Sequence, residues 1–392
     1  MSALREQLDE LLVESPAAAA ERERTEYDRV AGDISTPIVL FGAARLGRLV
    51  LKGLRQNGVE PAAFADNNAA IWDTTIEGVP VLSPVEAGRR FGDNCVFVIA
   101  IWGRGGSDRM QDRERRLREL GCRRVVTFGA LYWKFPAYFL PRIPALDLPH
   151  KALEQAEDIR IAFQALSDER SREEFVAQLR WRLKFDFDAL PEPVADPIYW
   201  PSVTRLRDDE LYVDCGAYDG DTITAFLKRV GNRFRQVIAF EPDPVSLARL
   251  REKIAGMDET VRRRVRVVAA ATGANAARVR FAATGELGSA GGQGDYDVPV
   301  VTLDDELRDV SPTYIKMDIE GAEFDTLCGA RDILRRDAPV LAVCAYHVQD
   351  HLWKLPCLIR SLNPDYRIYL RPHIQMVEDL VCYAIPPQRS MA

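Results

Sequence analysis

Acids set beside glycines at the ends of apolar runs are the part of this sequence equipped for chemistry. In Leu211-Tyr-Val-Asp-Cys-Gly-Ala-Tyr-Asp-Gly-Asp221, three aspartates (Asp214, Asp219, Asp221) share one turn with Gly216 and Gly220. A strand, a glycine turn and a helix in succession bring backbone close to a nucleotide. Charge selects which one. Two like charges about 4 Å apart repel by ~4 kcal/mol at an effective dielectric near 20, so a pyrophosphate is unwelcome in this turn. S-adenosylmethionine has no phosphate and carries a sulfonium and an ammonium, so the turn suits it better than it suits NAD. Asp214, Gly216, Ala217, Asp219 and Gly220 are the expected cofactor contacts here. The run Val237-Ile-Ala-Phe240 then ends in Glu241-Pro-Asp-Pro244. An acid at the tip of the second strand is where a ribose diol is gripped in doubly wound folds, so Glu241 is the expected ribose ligand, with Pro242 and Asp243 beside it. A third strand end, Tyr314-Ile-Lys-Met-Asp318, turns through Gly321 and brings Asp318, Glu320 and Glu323 to the same crevice.

Four stretches, Val213–Asp221, Phe240–Pro244, Val301–Asp305 and Ile315–Glu323, together resemble the FkbM family of S-adenosylmethionine-dependent methyltransferases. The resemblance runs from about Ser202 to Pro386. It implies a Rossmann-like class I methyltransferase domain, with methyl transfer to a hydroxyl of a sugar, glycolipid or secondary metabolite.

Methyl transfer to an alcohol needs two reactants in near-attack geometry and a group that removes the acceptor's proton. Histidine titrates near pH 6.5 and suits that task. His347, delivered by the run Pro339–Tyr346, is the expected base, with Asp318 and Glu320 orienting it or holding the acceptor. A second arrangement makes Asp318 and His347 ligands of a divalent metal ion that lowers the hydroxyl's pKa. If Tyr346–His351 is helical, His347 and His351 share one face. Both the metal and the metal-free readings stay open at this point, as does a buried, structural His347.

These groups need a scaffold. Alternating strands and helices make the whole chain α/β: two Rossmann-like doubly wound domains joined by a helical connector, with boundaries at 1–140, 141–200 and 201–392. In the first domain Pro37–Phe41 is a strand feeding Gly42-Ala-Ala-Arg-Leu-Gly47, where the dinucleotide fingerprint is kept at Gly42 and Gly47 and broken at Ala44. Pro61–Ala65 ends at Asp66, again in the ribose position. Strands are expected at Ile76–Val81 and Cys95–Ile101, with Ser83 capping a helix between them. This domain resembles nucleotide-sugar-binding or coenzyme-A-binding Rossmann-like modules. In the second domain a single helix is expected over Ala322–Leu334, and Gly285–Gly294 reads as a flap or hairpin tip. Tyr199 and Trp200 either wall an acceptor pocket or pack between the domains.

Composition sets the outer limits. A formal net charge of -7 argues against nucleic acid as the main partner. Seven scattered cysteines make neither a disulfide framework nor a zinc site, and they fit a reducing compartment. No apolar run reaches the ~18 residues of a membrane span, so cytoplasm is the expected location. The expected partner is a small-molecule or glycan acceptor, and homo-oligomer formation is left open. Two rivals remain: an NAD-dependent oxidoreductase, on the two Rossmann-like turns, and a nucleotide-sugar-binding protein acting through its first domain.

Overall fold

Ile38-Val-Leu-Phe41 is apolar at every position, as a strand covered on both faces must be, and all four residues are buried in strand β1 (Ile38–Phe41). The computed structural model describes residues 2–101, 109–139, 145–281, 296–374 and 377–391. The glycine-rich stretch Gly285–Gly294 lies outside them. The chain divides into two compact units. One comprises Met1–Ala156, Val176–Glu192 and Ile374–Val377, and the other Glu157–Phe175, Pro193–His373 and Glu378–Ala392.

In the first unit β1 is joined by β2 (Ala63–Ala65), β3 (Thr75–Ile76), β4 (Val79–Leu82), β5 (Val96–Ile99) and β6 (Arg124–Thr127) in the order β3-β4-β2-β1-β5-β6. All pairings are parallel except β3 with β4. The order runs outward in both directions from β1, so the sheet is doubly wound, with its switch point between β1 and β5. The single strand expected over Ile76–Val81 is instead a hairpin. Glu77 (φ 50°) and Gly78 (φ 85°) both take the left-handed conformation of a tight two-residue turn. Ser83 caps the helix Pro84–Phe91 as expected, its Oγ accepting the Glu86 N–H at 3.1 Å.

The second unit contains β7 (Leu211–Cys215), β8 (Gln236–Phe240), β9 (Val265–Val268), β10 (Ala271–Thr272), β11 (Ala277–Phe281), β12 (Tyr296–Val301), β13 (Tyr314–Met317), β14 (Val340–Cys344), β15 (Arg367–Pro372) and β16 (Leu380–Ile385). Seven of these form one sheet ordered β15-β16-β14-β13-β7-β8-β9, and β10, β12 and β11 form a small second sheet. In the large sheet only β16 runs against its neighbours. This is the mixed α/β sheet of a class I methyltransferase fold, wound both ways from a switch point between β7 and β13. Strands β7, β13 and β14 are buried at every residue. Their carboxyl ends therefore present loops, not side-chain faces, to a ligand. The helix expected over Ala322–Leu334 is split into Glu323–Cys328 and Arg331–Arg336. Gly329 breaks it where the backbone meets another loop: a Cβ there would lie 2.1 Å from the Gly273 carbonyl oxygen.

Candidate active site

Strand β7 ends at Cys215, and the next residue cannot carry a side chain. Gly216 has φ +79°, and a Cβ on it would lie 2.0 Å from the Asp318 carbonyl oxygen at the end of β13. The turn is tied to the neighbouring strand by the Gly216 and Ala217 N–H groups, both donating to the Phe240 carbonyl at 3.0 Å. Tyr218 follows with φ 48° and donates its N–H to Glu241 Oε2 at 2.7 Å. Gly220, φ +84°, then starts the helix Asp221–Val230.

Above these ends lies a cavity of about 790 Å³, within the range of small-molecule sites. Gly216, Glu241, Pro242, Asp243, Asp318 and Glu320 all line it. Glu241 Oε1 also accepts the Asp243 N–H at 2.8 Å. Burial lifts the Glu241 carboxyl to about 7, against the pull of the two N–H groups. Asp243 caps the helix Pro244–Ala255 through Oδ1, which accepts from Val245 and Ser246.

The other expected cofactor residues sit behind the wall. Ala217 is buried in the core, and Gly220 serves the helix start. Asp219 turns to Lys253 on the helix Pro244–Ala255, at 3.0 Å. Asp214 is fully buried, accepts from the Thr222 hydroxyl at 2.5 Å, and pairs with Lys316 Nζ at 3.0 Å. Burial raises the Asp214 carboxyl. Burial also works against the Lys316 ammonium, but Asp214 and then Asp318 outweigh it and hold Lys316 charged. The negative charge expected of Asp214 at the turn is thus balanced inside the protein.

Across the cavity, Asp318 Oδ2 accepts the Tyr199 hydroxyl at 2.8 Å, and Oδ1 lies 3.4 Å from both the Tyr346 hydroxyl and His347 Nε2. His347 Nε2 is also 3.5 Å from Glu320 Oε2, and Nδ1 is 2.8 Å from Glu323 Oε1. Burial disfavours the imidazolium, but Glu323, then Asp318 and Glu320, outweigh it and lift His347 to about 9. Glu323 is held far below the usual carboxylate range, because His347 and His351 outweigh its burial. His347 therefore stands protonated at neutral pH, 4% exposed, behind the two carboxylates that line the cavity. That charge works against the role of base expected of His347 from the sequence. His351 Nδ1 lies 3.3 Å from Glu323 Oε2, so both imidazoles meet one acid although Tyr346–Asp350 is not helical.

The expected metal site is not built. Among the described residues no group of three or more His, Cys, Asp or Glu is arranged to hold an ion.

Lys316 carried no role in the sequence reading, and Tyr199 was read there only as a pocket wall or a packing residue. Lys316 is a charge inside an otherwise apolar strand, a pattern that demands a buried partner. Tyr199 holds φ 70° without being glycine, and three contacts fix it: its N–H donates to the Tyr383 hydroxyl at 2.9 Å, its carbonyl accepts the Tyr314 hydroxyl, and its own hydroxyl donates to Asp318.

In the first unit, Asp66 repeats the pattern of Glu241. Its Oδ2 accepts the Ala43 N–H at 2.7 Å, one residue past Gly42 (φ +113°), and its Oδ1 accepts the Asn68 N–H at 2.8 Å. No helix among the described residues is long and apolar enough to cross a membrane.

Among solved structures, a methyltransferase FkbM from Methylobacillus flagellatus KT is similar over 98% of both chains, with a TM-score of 0.77 and 23% identity. A fibrillarin from Aeropyrum pernix aligns with 46% of this chain and 69% of its own, at TM-score 0.31 and 11% identity. A putative methyltransferase from Streptococcus mutans aligns with 46% and 90%, at TM-score 0.28 and 14% identity. No curated protein matches the chain. Residues 214–371 match the methyltransferase FkbM domain. With the four motifs and the sheet order in agreement, this part of the chain is similar to the FkbM methyltransferase family.

Proposed function

We propose that the cavity binds S-adenosylmethionine and that the protein methylates a hydroxyl of a sugar, glycolipid or secondary metabolite. The observation that carries this reading is that Gly216 and Glu241 line one cavity with Asp318 and Glu320 across from them. Glu241 receives the ribose hydroxyls on its remaining lone pairs, and Gly216 lets the nucleoside pass close over β7. Strands lie about 4.8 Å apart, so a ligand anchored at β8 and crossing β7 reaches the end of β13 some ~10 Å away. Bound there, the cofactor would supply a methyl group on a sulfonium. As the acceptor oxygen bonds to the methyl carbon, the sulfur–carbon bond breaks and its electron pair stays on sulfur.

The acceptor's proton goes to Asp318, the carboxylate beside the Gly216 turn, with Glu320 on the same wall. The imidazolium of His347 backs both carboxylates and fixes their orientation, and the Tyr199 hydroxyl holds the second oxygen of Asp318. Calorimetric titration with S-adenosylmethionine, S-adenosylhomocysteine, NAD and nucleotide sugars tests the reading. Binding of the first two and not of NAD is expected; a preference for NAD ends it.

The matching geometry of Asp66 and Glu241 favours a second reading for the first unit, as a nucleotide-sugar-binding module. Arg45 and Arg48 open its helix Arg45–Gln56, so the turn there admits a phosphate. Heat on titrating nucleotide sugars that disappears in Asp66→Ala supports it, and no heat removes it.

A further inference from the structure

Asp318 Oδ2 accepts the Tyr199 hydroxyl at 2.8 Å, and that contact fixes where the carboxylate points. The terminal torsion of an aspartate is broad, so a donor from outside has to set it. Tyr199 in turn stands in the left-handed region (φ 70°), which a bulky side chain holds only where its surroundings impose it. Its carbonyl accepts the Tyr314 hydroxyl, and its N–H donates to the Tyr383 hydroxyl at 2.9 Å. The group that orders Tyr383 lies one residue past β15.

That group is His373, which does not line the cavity. Its Nδ1 is 3.1 Å from the Asp196 carbonyl oxygen, and its Nε2 is 2.8 Å from the Tyr383 hydroxyl. A carbonyl oxygen only accepts, so Nδ1 carries a proton. In the neutral ring Nε2 then keeps a lone pair and takes the Tyr383 proton. With its proton spent there, the buried Tyr383 oxygen serves as acceptor for the Tyr199 N–H. A charged ring would put a second donor on that oxygen, and the Tyr383 proton has no other acceptor among the described residues. Burial favours the neutral ring and, with Arg371, outweighs the pull of the Asp196 carbonyl and carboxylate. Arg371 is turned to Asp168 and Ser171, and Asp379 meets His373 through its carbonyl oxygen, which accepts the His373 N–H at 3.1 Å.

Building on the reading that gives Asp318 the acceptor's proton, we propose that His373 is a positioning residue of the active site. Through Tyr383 and the backbone of Tyr199 it sets the carboxylate of Asp318. The link is mechanical and carries no proton, because it passes through the covalent frame of Tyr199.

The test uses the full chain. With isotope-labelled histidine, nitrogen NMR is expected to show one of the four imidazoles, missing in His373→Gln, with a protonated Nδ1 and a bare Nε2 at neutral pH. A proton on Nε2 overturns the proposal, and this is read on the natural protein, whatever the variants do to folding. The carboxyl carbon resonance of Asp318, identified by its loss in Asp318→Asn, is expected to move in His373→Phe as it does in Tyr199→Phe. It should return in His373→Gln, whose amide oxygen again accepts the Tyr383 proton. A resonance that stays in place in His373→Phe overturns the proposal. Label passing from methyl-tritiated S-adenosylmethionine into a metabolite extract of the producing cells, at saturating cofactor, should slow roughly ten- to a hundred-fold in His373→Phe with cofactor affinity kept. In a Tyr199→Phe background the same change should slow transfer no further; an equal, additive loss there makes the role of His373 structural and overturns the positioning. A natural protein that binds the cofactor and labels nothing removes the proton-acceptor role of Asp318, while its carboxyl resonance still decides whether His373 sets that residue.

Discussion

Lys316 and Asp214 stand opposite each other in register on adjacent parallel strands, with the ammonium 3.0 Å from the carboxylate and both side chains buried. Removing one partner strands a charge in the core, at a typical cost of about 3–5 kcal/mol, whereas removing both leaves no such charge. Lys316→Met is expected to lower the unfolding free energy from urea titration by that much, and Asp214→Asn/Lys316→Met to recover most of it. Equal loss in the single and double variants would show that packing, and not charge, is what the pair contributes.

Glu241 gives the site a pH dependence. Its folded carboxyl is lifted to about 7 from an ordinary value of 4.5. A raised folded pKa means that the group's contribution to stability is full below 4.5 and is lost as pH rises through about 7. Cofactor affinity runs the other way, because ribose hydroxyls donate to the carboxylate and not to the acid. Affinity is expected to rise between pH 5.5 and 7.5 and then level off, with Glu241→Ala weaker by roughly 1–3 kcal/mol and flat with pH. A sloping profile in Glu241→Ala would assign the titration to another group.

The cluster around His347 titrates at higher pH. Its folded value of about 9 lies above the ordinary 6.5, so its contribution is complete below 6.5 and disappears as pH climbs through about 9. The melting temperature should fall between pH 7 and 9.5 in the natural protein and fall less in His347→Gln. Parallel melting curves for the two proteins would rule out the charged histidine.

Asp318→Asn removes the proposed proton acceptor and leaves the Gly216 turn and Glu241 in place. Transfer is expected to slow by roughly 10²- to 10⁴-fold with cofactor affinity within about three-fold of the natural protein. His347→Ala should slow it less, since that side chain only orients the carboxylates. A larger loss in His347→Ala than in Asp318→Asn would return the base role to the histidine.

Gly216→Ala tests the closeness of the two central strand ends. Its Cβ would sit 2.0 Å from the Asp318 carbonyl oxygen, a backbone atom that cannot rotate away. Cofactor binding should be lost and the melting temperature lowered, and normal binding in this variant would mean the turn is not part of the site.

What could be read from the sequence is what its local pattern encodes. Apolar runs ending in acids gave the strands, and the strand ends gave Glu241, Asp318 and Glu320, all of which line the cavity. Charge balance was not legible, because it is set by partners from other elements. Asp214 is paired with a lysine on β13 and Asp219 with Lys253, and neither is among the residues that line the cavity. The same limit applies to His347, whose protonation follows from Glu323, Asp318 and Glu320 converging on it. Helix ends failed for a related reason: only the close approach of Gly273 explains why Gly329 interrupts the helix.

Tyr199 keeps its left-handed backbone through hydroxyls on Tyr314 and Tyr383, the second of which belongs to β16, near the end of the chain. The setting of Asp318 thus reaches as far as β16, because the tyrosine that donates to this carboxylate is itself held by the Tyr383 hydroxyl.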